Sequence, residues 1–116
     1  MGQRPQFAEW LRGLRDAKRL PLRVIAAKVR LDSTLLSKLE RGDRLPTDLQ
    51  ARALAGCYRI PQNEMRSRLI AARIVRDHGS DPTLPAAISL VREQAESLER
   101  KYSRKRVIYS ARRRNV

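Results

Sequence analysis

Ser33, Thr34, Ser37, Lys38 and Arg41 fall on the outer side of the segment DSTLLSKLERG, residues 32–42. Each can donate a hydrogen bond and none is acidic, so together they suit an acceptor-rich, negatively charged partner. The Lys38 ammonium can donate to acceptors such as guanine O6 or N7, whereas the hydroxyls both donate and accept and discriminate less. Presenting these groups together requires a helix, and the inner side supplies its apolar face in Leu35, Leu36 and Leu39. Asp32 is placed to accept from the free N–H groups of the first turn, and Gly42 can take the left-handed conformation that follows a last turn. The expected helix runs from Ser33 to Arg41. Upstream, Leu22, Ile25, Ala26 and Val29 mark a second helical face, with small Ala26 where two helices would come closest. The break between them is too short for either helix to pack independently, which is the outline of a helix-turn-helix.

Leu11-Arg12-x-Leu14-Arg15, Ala26-Ala27, the run Leu35-Leu36-Ser37-Lys38-Leu39-Glu40-Arg41-Gly42, and Pro46 ahead of a further helix resemble the lambda-repressor-like family of regulators (Xre/Cro/CI type). The resemblance covers residues 7–69. Two positions depart from the family pattern: Leu22 stands where a glutamine phosphate anchor is usual, and Arg30 stands in a turn that often carries glycine. The resemblance implies an all-α, five-helix DNA-binding domain whose helix Ser33 to Arg41 enters the major groove, amino-terminal turn toward the base edges. Ser33, Thr34, Ser37 and Lys38 are then the expected base-reading residues, and Arg30, Arg41 and Arg44 the expected phosphate anchors.

Composition agrees with such a partner. The 116 residues, 41% of them hydrophobic, allow one domain with a small core plus extensions. Lys and Arg number 26 against 12 acidic residues, and the net charge of +14 attracts polyanions, double-stranded DNA first among them. No apolar run approaches the roughly 20 residues that span a bilayer, and no apolar segment near residue 1 could serve as an export signal. A cytoplasmic protein is expected, associated with the nucleoid when on DNA. Cys57 is the lone cysteine and His78 the lone histidine, so neither a disulfide within the chain nor a metal site is expected. No cofactor is expected either. With no nucleophile–base pair, metal spacing or glycine-rich phosphate loop, the chain does not read as an enzyme.

The remaining elements follow from spacing. Residues 1–6 are polar and expected to be loosely held. A first helix from Phe7 to Arg19 would bury Phe7, Leu11 and Leu14, with Trp10 at its edge and Arg12, Arg15, Lys18 and Arg19 outward, until Pro21 stops it. Asp43 to Pro46 is a turn, and Thr47 caps a helix from Asp48 to Tyr58 whose buried face is Leu49, Ala53, Leu54 and Cys57. A fifth helix, Gln62 to Asp77, would turn Met65, Leu69, Ala72 and Val75 inward and Arg66, Arg68, Arg73 and Arg76 outward. His78 reads as a solvated residue at the end of that helix.

His78 to Pro82 (HGSDP) marks a boundary. Beyond it Leu84, Ile88, Val91, Ala95, Leu98 and Tyr102 are spaced 4, 3, 4, 3 and 4 apart, a heptad seam, with Arg92, Glu93, Glu96, Glu99 and Arg100 off it. These six residues are the expected dimer interface; the alternative is an amphipathic helix lying on its own domain. From Arg100 the chain carries Arg104, Lys105, Arg106, Arg112, Arg113 and Arg114 with no acid, a tail expected to be disordered alone and able to add phosphate contacts. The expected organisation is 1–78 for DNA binding, 83–103 for dimerisation through an amphipathic helix, and 104–116 as the basic tail. The expected function is a sequence-specific transcriptional regulator, a homodimeric repressor reading an inverted repeat. Two alternatives stay open: an antitoxin, which the family resemblance allows, or an interaction module that holds a toxin or another regulator through its carboxy-terminal helix or tail.

Overall fold

The computed structural model describes residues 5–114, with side chains through residue 103. Among these residues six helices and no strand form: α1 (Gln6–Lys18), α2 (Leu22–Val29), α3 (Ser33–Arg41), α4 (Asp48–Tyr58), α5 (Gln62–His78) and α6 (Leu84–Arg114). The expected all-α class, five helices and then another, is what the chain adopts. It divides into two compact units, Met1–Asp77 and His78–Val116. Residues 1–4 and the side chains of the basic tail, 104–116, lie outside the described residues; the backbone of α6 runs on to Arg114. None of the described helices is long and apolar enough to cross a membrane.

A repeated device ends the helices of the first unit. Arg19, Arg30 and Arg59 follow α1, α2 and α4 in the left-handed conformation, with φ of 54°, 57° and 56°. Each precedes an aliphatic residue, Leu20, Leu31 or Ile60, that packs against the core. The N–H groups of Leu31 and Ile60 donate back to the carbonyls of Ala26 and Ala55, both at 2.9 Å, which satisfies carbonyls the helix leaves free. A left-handed arginine costs about 1–2 kcal/mol, and burial of the following side chain offsets that strain. The turn position that departs from the family's glycine is thus a left-handed cap filled by Arg30. α3 ends instead on Gly42 at φ 83°, where a Cβ would overlap the ring of Pro5. Pro5 and Gln6 are therefore held, contrary to the expectation of a loose segment through residue 6: Pro5 starts α1 and seats on the end of α3.

The core gathers Leu11, Ile25, Leu36, Leu39, Leu54, Met65 and Leu69, with α3 packed on α1 and α2, and α2 on α4. The α4 face differs from expectation. Ala51, Leu54, Ala55 and Tyr58 are buried, whereas Leu49 is 74% exposed, Ala53 is exposed and Cys57 is half-buried. Alanines at 51 and 55 let α4 approach its neighbours closely. On α5, Met65 and Leu69 are buried and Ala72 half-buried, but Val75 is 63% exposed, lining an open groove of about 510 Å³ with Phe7 and Leu45. Arg68 lies over the Trp10 ring at 4.4 Å, and Arg73 Nη2 donates to Asp48 Oδ1 at 2.9 Å, holding that carboxyl below the usual range. These arginines of α5 tie it to α1 and α4.

Arg15 is not outward. It lies i+4 from buried Leu11, and Glu40 lies i+4 from buried Leu36, so each charge continues an apolar face. Arg15 Nε donates to Glu40 Oε2 at 2.8 Å and Nη2 to Oε1 at 2.9 Å, while Nη1 donates to the Leu20 carbonyl at 3.1 Å. The side chains are 12% and 4% exposed, and the hydrogen bonds to Glu40 raise the Arg15 pKa. One guanidinium thereby joins α1, the α1–α2 link and α3. Arg12 Nε stands 3.9 Å from the same carboxylate. Tyr58 is buried, and its hydroxyl has no hydrogen-bond partner among the described residues. Burial first, and the Glu40 charge next, push that phenol well above its ordinary range.

Replacing one partner leaves the other charge buried, so Arg15→Met and Glu40→Leu should each cost about 3 kcal/mol in urea unfolding, with the double variant recovering most of it. The Tyr58 shift gives a pH dependence of known sign. Its folded-state pKa lies above the unfolded value near 10, so its stabilising contribution is complete below about pH 10 and declines above it as the unfolded phenol ionises. Tyr58→Phe should lessen the fall in urea midpoint between pH 9 and 11; a wild-type slope unchanged by the substitution would contradict this.

Candidate nucleic-acid interface

Three residues, Arg30, Leu31 and Asp32, separate α2 from α3. The left-handed turn at Arg30 reverses the chain and Leu31 pins it to the core, so α3 begins at Asp32 with no slack. Asp32 Oδ1 accepts from the Thr34 N–H at 2.9 Å, as its type and position led one to expect. At the far end the Asp43 N–H donates to the Lys38 carbonyl at 3.0 Å, closing the helix over Gly42.

With both ends closed and Leu36, Leu39 and Glu40 buried, the outer face of α3 is set. Ser33, Thr34 and Lys38 are exposed and Ser37 is half-buried. The first turn of α3 itself holds no acidic residue, and beside the Asp32 cap these side chains present a donor-rich edge. The three expected phosphate anchors differ. Arg30 and Arg44 are exposed and make no ion pair with a described residue, whereas Arg41 Nε donates to Asp43 Oδ2 at 3.1 Å in a pair exposed on both sides. Such a pair is worth little in water and can exchange one anion for another. Two cations passed over in sequence, Arg23 and Lys28, are also exposed on α2, off its apolar face. The positioning pair Arg15–Glu40 was missed as well, although its signal was there: a cation and an anion each one turn beyond a core leucine.

In the second unit, Asp81 Oδ1 accepts from the Thr83 N–H at 2.9 Å and the Thr83 hydroxyl at 2.6 Å, bonds that hold its carboxyl below the usual range. Pro85 follows in the first turn of α6, where its missing N–H costs nothing. Along the helix Ile88, Val91, Ala95, Leu98 and Tyr102 are exposed and Leu84 is half-buried. Off that line Leu90 is exposed too.

Comparison with known proteins yields a family model described as a helix-turn-helix domain, matched over residues 6–68. No curated protein and no solved structure matches the chain. The matched segment begins with α1, takes in the α2–α3 pair and reaches well into α5, covering more than half of the sequence. The chain belongs to the helix-turn-helix domain family.

Proposed function

We propose that this helix-turn-helix protein is a transcriptional regulator of the lambda-repressor-like (Xre/Cro/CI) type, a repressor that binds an inverted-repeat operator as a homodimer in the cytoplasm. The observation that carries the reading is the outer face of α3. It is donor-rich and lacks carboxylates, it is closed at both ends, and Arg30 and Arg44, which pair with no described residue, flank it. In this reading Lys38 donates to guanine O6 or N7, Thr34 and Ser33 meet base edges from the first turn, and Ser37 contributes from its half-buried position. Arg30 and Arg44 hold phosphates, and Arg41 joins them by exchanging Asp43 for a phosphate. The net charge of +14 strengthens every such contact and makes binding steeply salt-dependent.

A homodimer supplies what one reading helix lacks. Each good bidentate base contact discriminates by about 1–3 kcal/mol, so a single copy is poorly selective, and two half-sites add. The exposed seam of α6 is the surface for pairing, with Leu84, Ile88, Val91, Ala95, Leu98 and Tyr102 as the contacts. Each large aliphatic side chain withdrawn from water contributes roughly 1.5–3 kcal/mol before association entropy is subtracted.

Selection of bound sequences from random DNA gives the operator on which these roles are tested. Lys38→Ala with Thr34→Ala should flatten the sequence preference, whereas Arg44→Ala should weaken all sequences about equally and reduce the salt slope by about one. An operator preference unaltered by the paired substitution would remove α3 as the reading element. Val91→Asp with Leu98→Asp should leave the first unit folded by circular dichroism yet sediment as a monomer with much weaker operator binding. A wild type that sediments as a monomer at micromolar concentration, or a double variant that stays dimeric, refutes pairing through α6.

A further inference from the structure

The sides of the α6 seam carry an orientation. Ile88, Ala95 and Tyr102 occupy one of the two alternating seam positions, and Leu84, Val91 and Leu98 the other. Arg92 and Glu99 flank the seam on one shoulder, Gln94 and Lys101 on the other. Arg92 and Glu99 are exposed and make no ion pair with a described residue. Seven residues apart on one helix, they are too far from each other to pair.

In a parallel, in-register pair every seam residue meets its own copy, and opposite shoulders face each other. Ala95 then meets the partner's Ala95, a thin layer between the larger Val91 and Leu98 layers. Gln94 meets the partner's Glu99 and Ala87 meets the partner's Arg92, so no opposite charges meet. In an antiparallel pair, like shoulders face each other. With Ala95 opposite the partner's Leu98 and Val91 opposite the partner's Tyr102, small faces large in the central layers, while Ile88 lies level with position 105. The same register sets Arg92 against the partner's Glu99, and by symmetry does so twice. Sliding it by one heptad either way sets Arg92 against the partner's Arg92, or Glu99 against the partner's Glu99.

We infer that α6 binds α6 of a second copy antiparallel, in the register that joins Arg92 to the partner's Glu99. This rests on the proposed homodimer and specifies how its helices pair. Leu84 lies level with position 109 of the second helix, so the amino-terminal ends of the two α6 helices stand about 37 Å apart, at 1.5 Å per residue over 25 residues. The reading units are tethered at those ends by His78–Thr83. A parallel pair would bring both tethers together at one end.

Two measurements on the full-length protein test the register. In sedimentation equilibrium, Arg92→Glu alone and Glu99→Arg alone should each raise the dimer dissociation constant about tenfold, since two cross-helix pairs become repulsive. The combined Arg92→Glu, Glu99→Arg protein should return to within about threefold of wild type, a rescue that a parallel pair does not supply. In a Cys57→Ser background, mixing Ala95→Cys with Leu98→Cys under mild oxidation should give chiefly the mixed disulfide. A dimer that shows no charge-swap rescue, or an Ala95→Cys protein that cross-links mainly to itself, overturns the antiparallel register while leaving the homodimer standing. A monomeric wild type overturns both.

Discussion

The ion pair between Arg15 and Glu40 is the constraint on which the orientation of α3 depends. Leucines 36 and 39 hold that helix to the core, but hydrophobic contact is non-directional and tolerates rotation about the helix axis. A guanidinium fork closing on a carboxylate tolerates little. Glu40 lies two residues beyond Lys38, so fixing it inward turns Lys38 to the opposite side. Desolvating two charges consumes much of what their attraction returns, so the pair contributes orientation more than stability. The bond from Arg15 to the Leu20 carbonyl extends the same control to the link into α2.

Around that pair, the first unit spends its cations in three ways. Arg19, Arg30 and Arg59 turn the chain, with an aliphatic neighbour anchoring each turn. Arg68 and Arg73 fasten α5 to its neighbours through a ring and a carboxylate. Those around α3 remain exposed, and among the described residues only Arg41 of these is paired, with an acid as solvated as itself. An excess of positive charge thus divides between structure and a surface available to an anion. Arg30 serves both ends, since its backbone makes the turn while its side chain stays in solvent.

The second unit follows different physics. α6 spans 31 residues, about 46 Å, and the described part of it carries a line of exposed apolar side chains flanked by charge. An isolated helix derives little stability from propensity alone, so a partner surface along that line would stabilise the helix as well as the assembly. The flanking charges would add orientation to such an attraction, as the Arg15–Glu40 pair does within the first unit.

Much of the fold was legible in the sequence, because its local determinants are strong. Asp32, Gly42 and Thr47 act at short range, and the extents of α2, α3 and α4 follow from them and from apolar spacing. The outer position of Ser33, Thr34 and Lys38 follows as well, since Leu36 and Leu39 leave one way for the opposite side to point. What the tertiary structure decided is what depends on two distant segments meeting. Leu49 and Cys57 fit a helical stripe as well as Ala51 and Tyr58 do, and only close packing of α4 against α2 selects the second set. Arg15 and Glu40, twenty-five residues apart, each resemble a solvated charge until the fold places them within hydrogen-bonding distance. Pairing across sequence distance is not encoded in local periodicity, because the free energy that selects a buried polar group belongs to the pair and not to either residue.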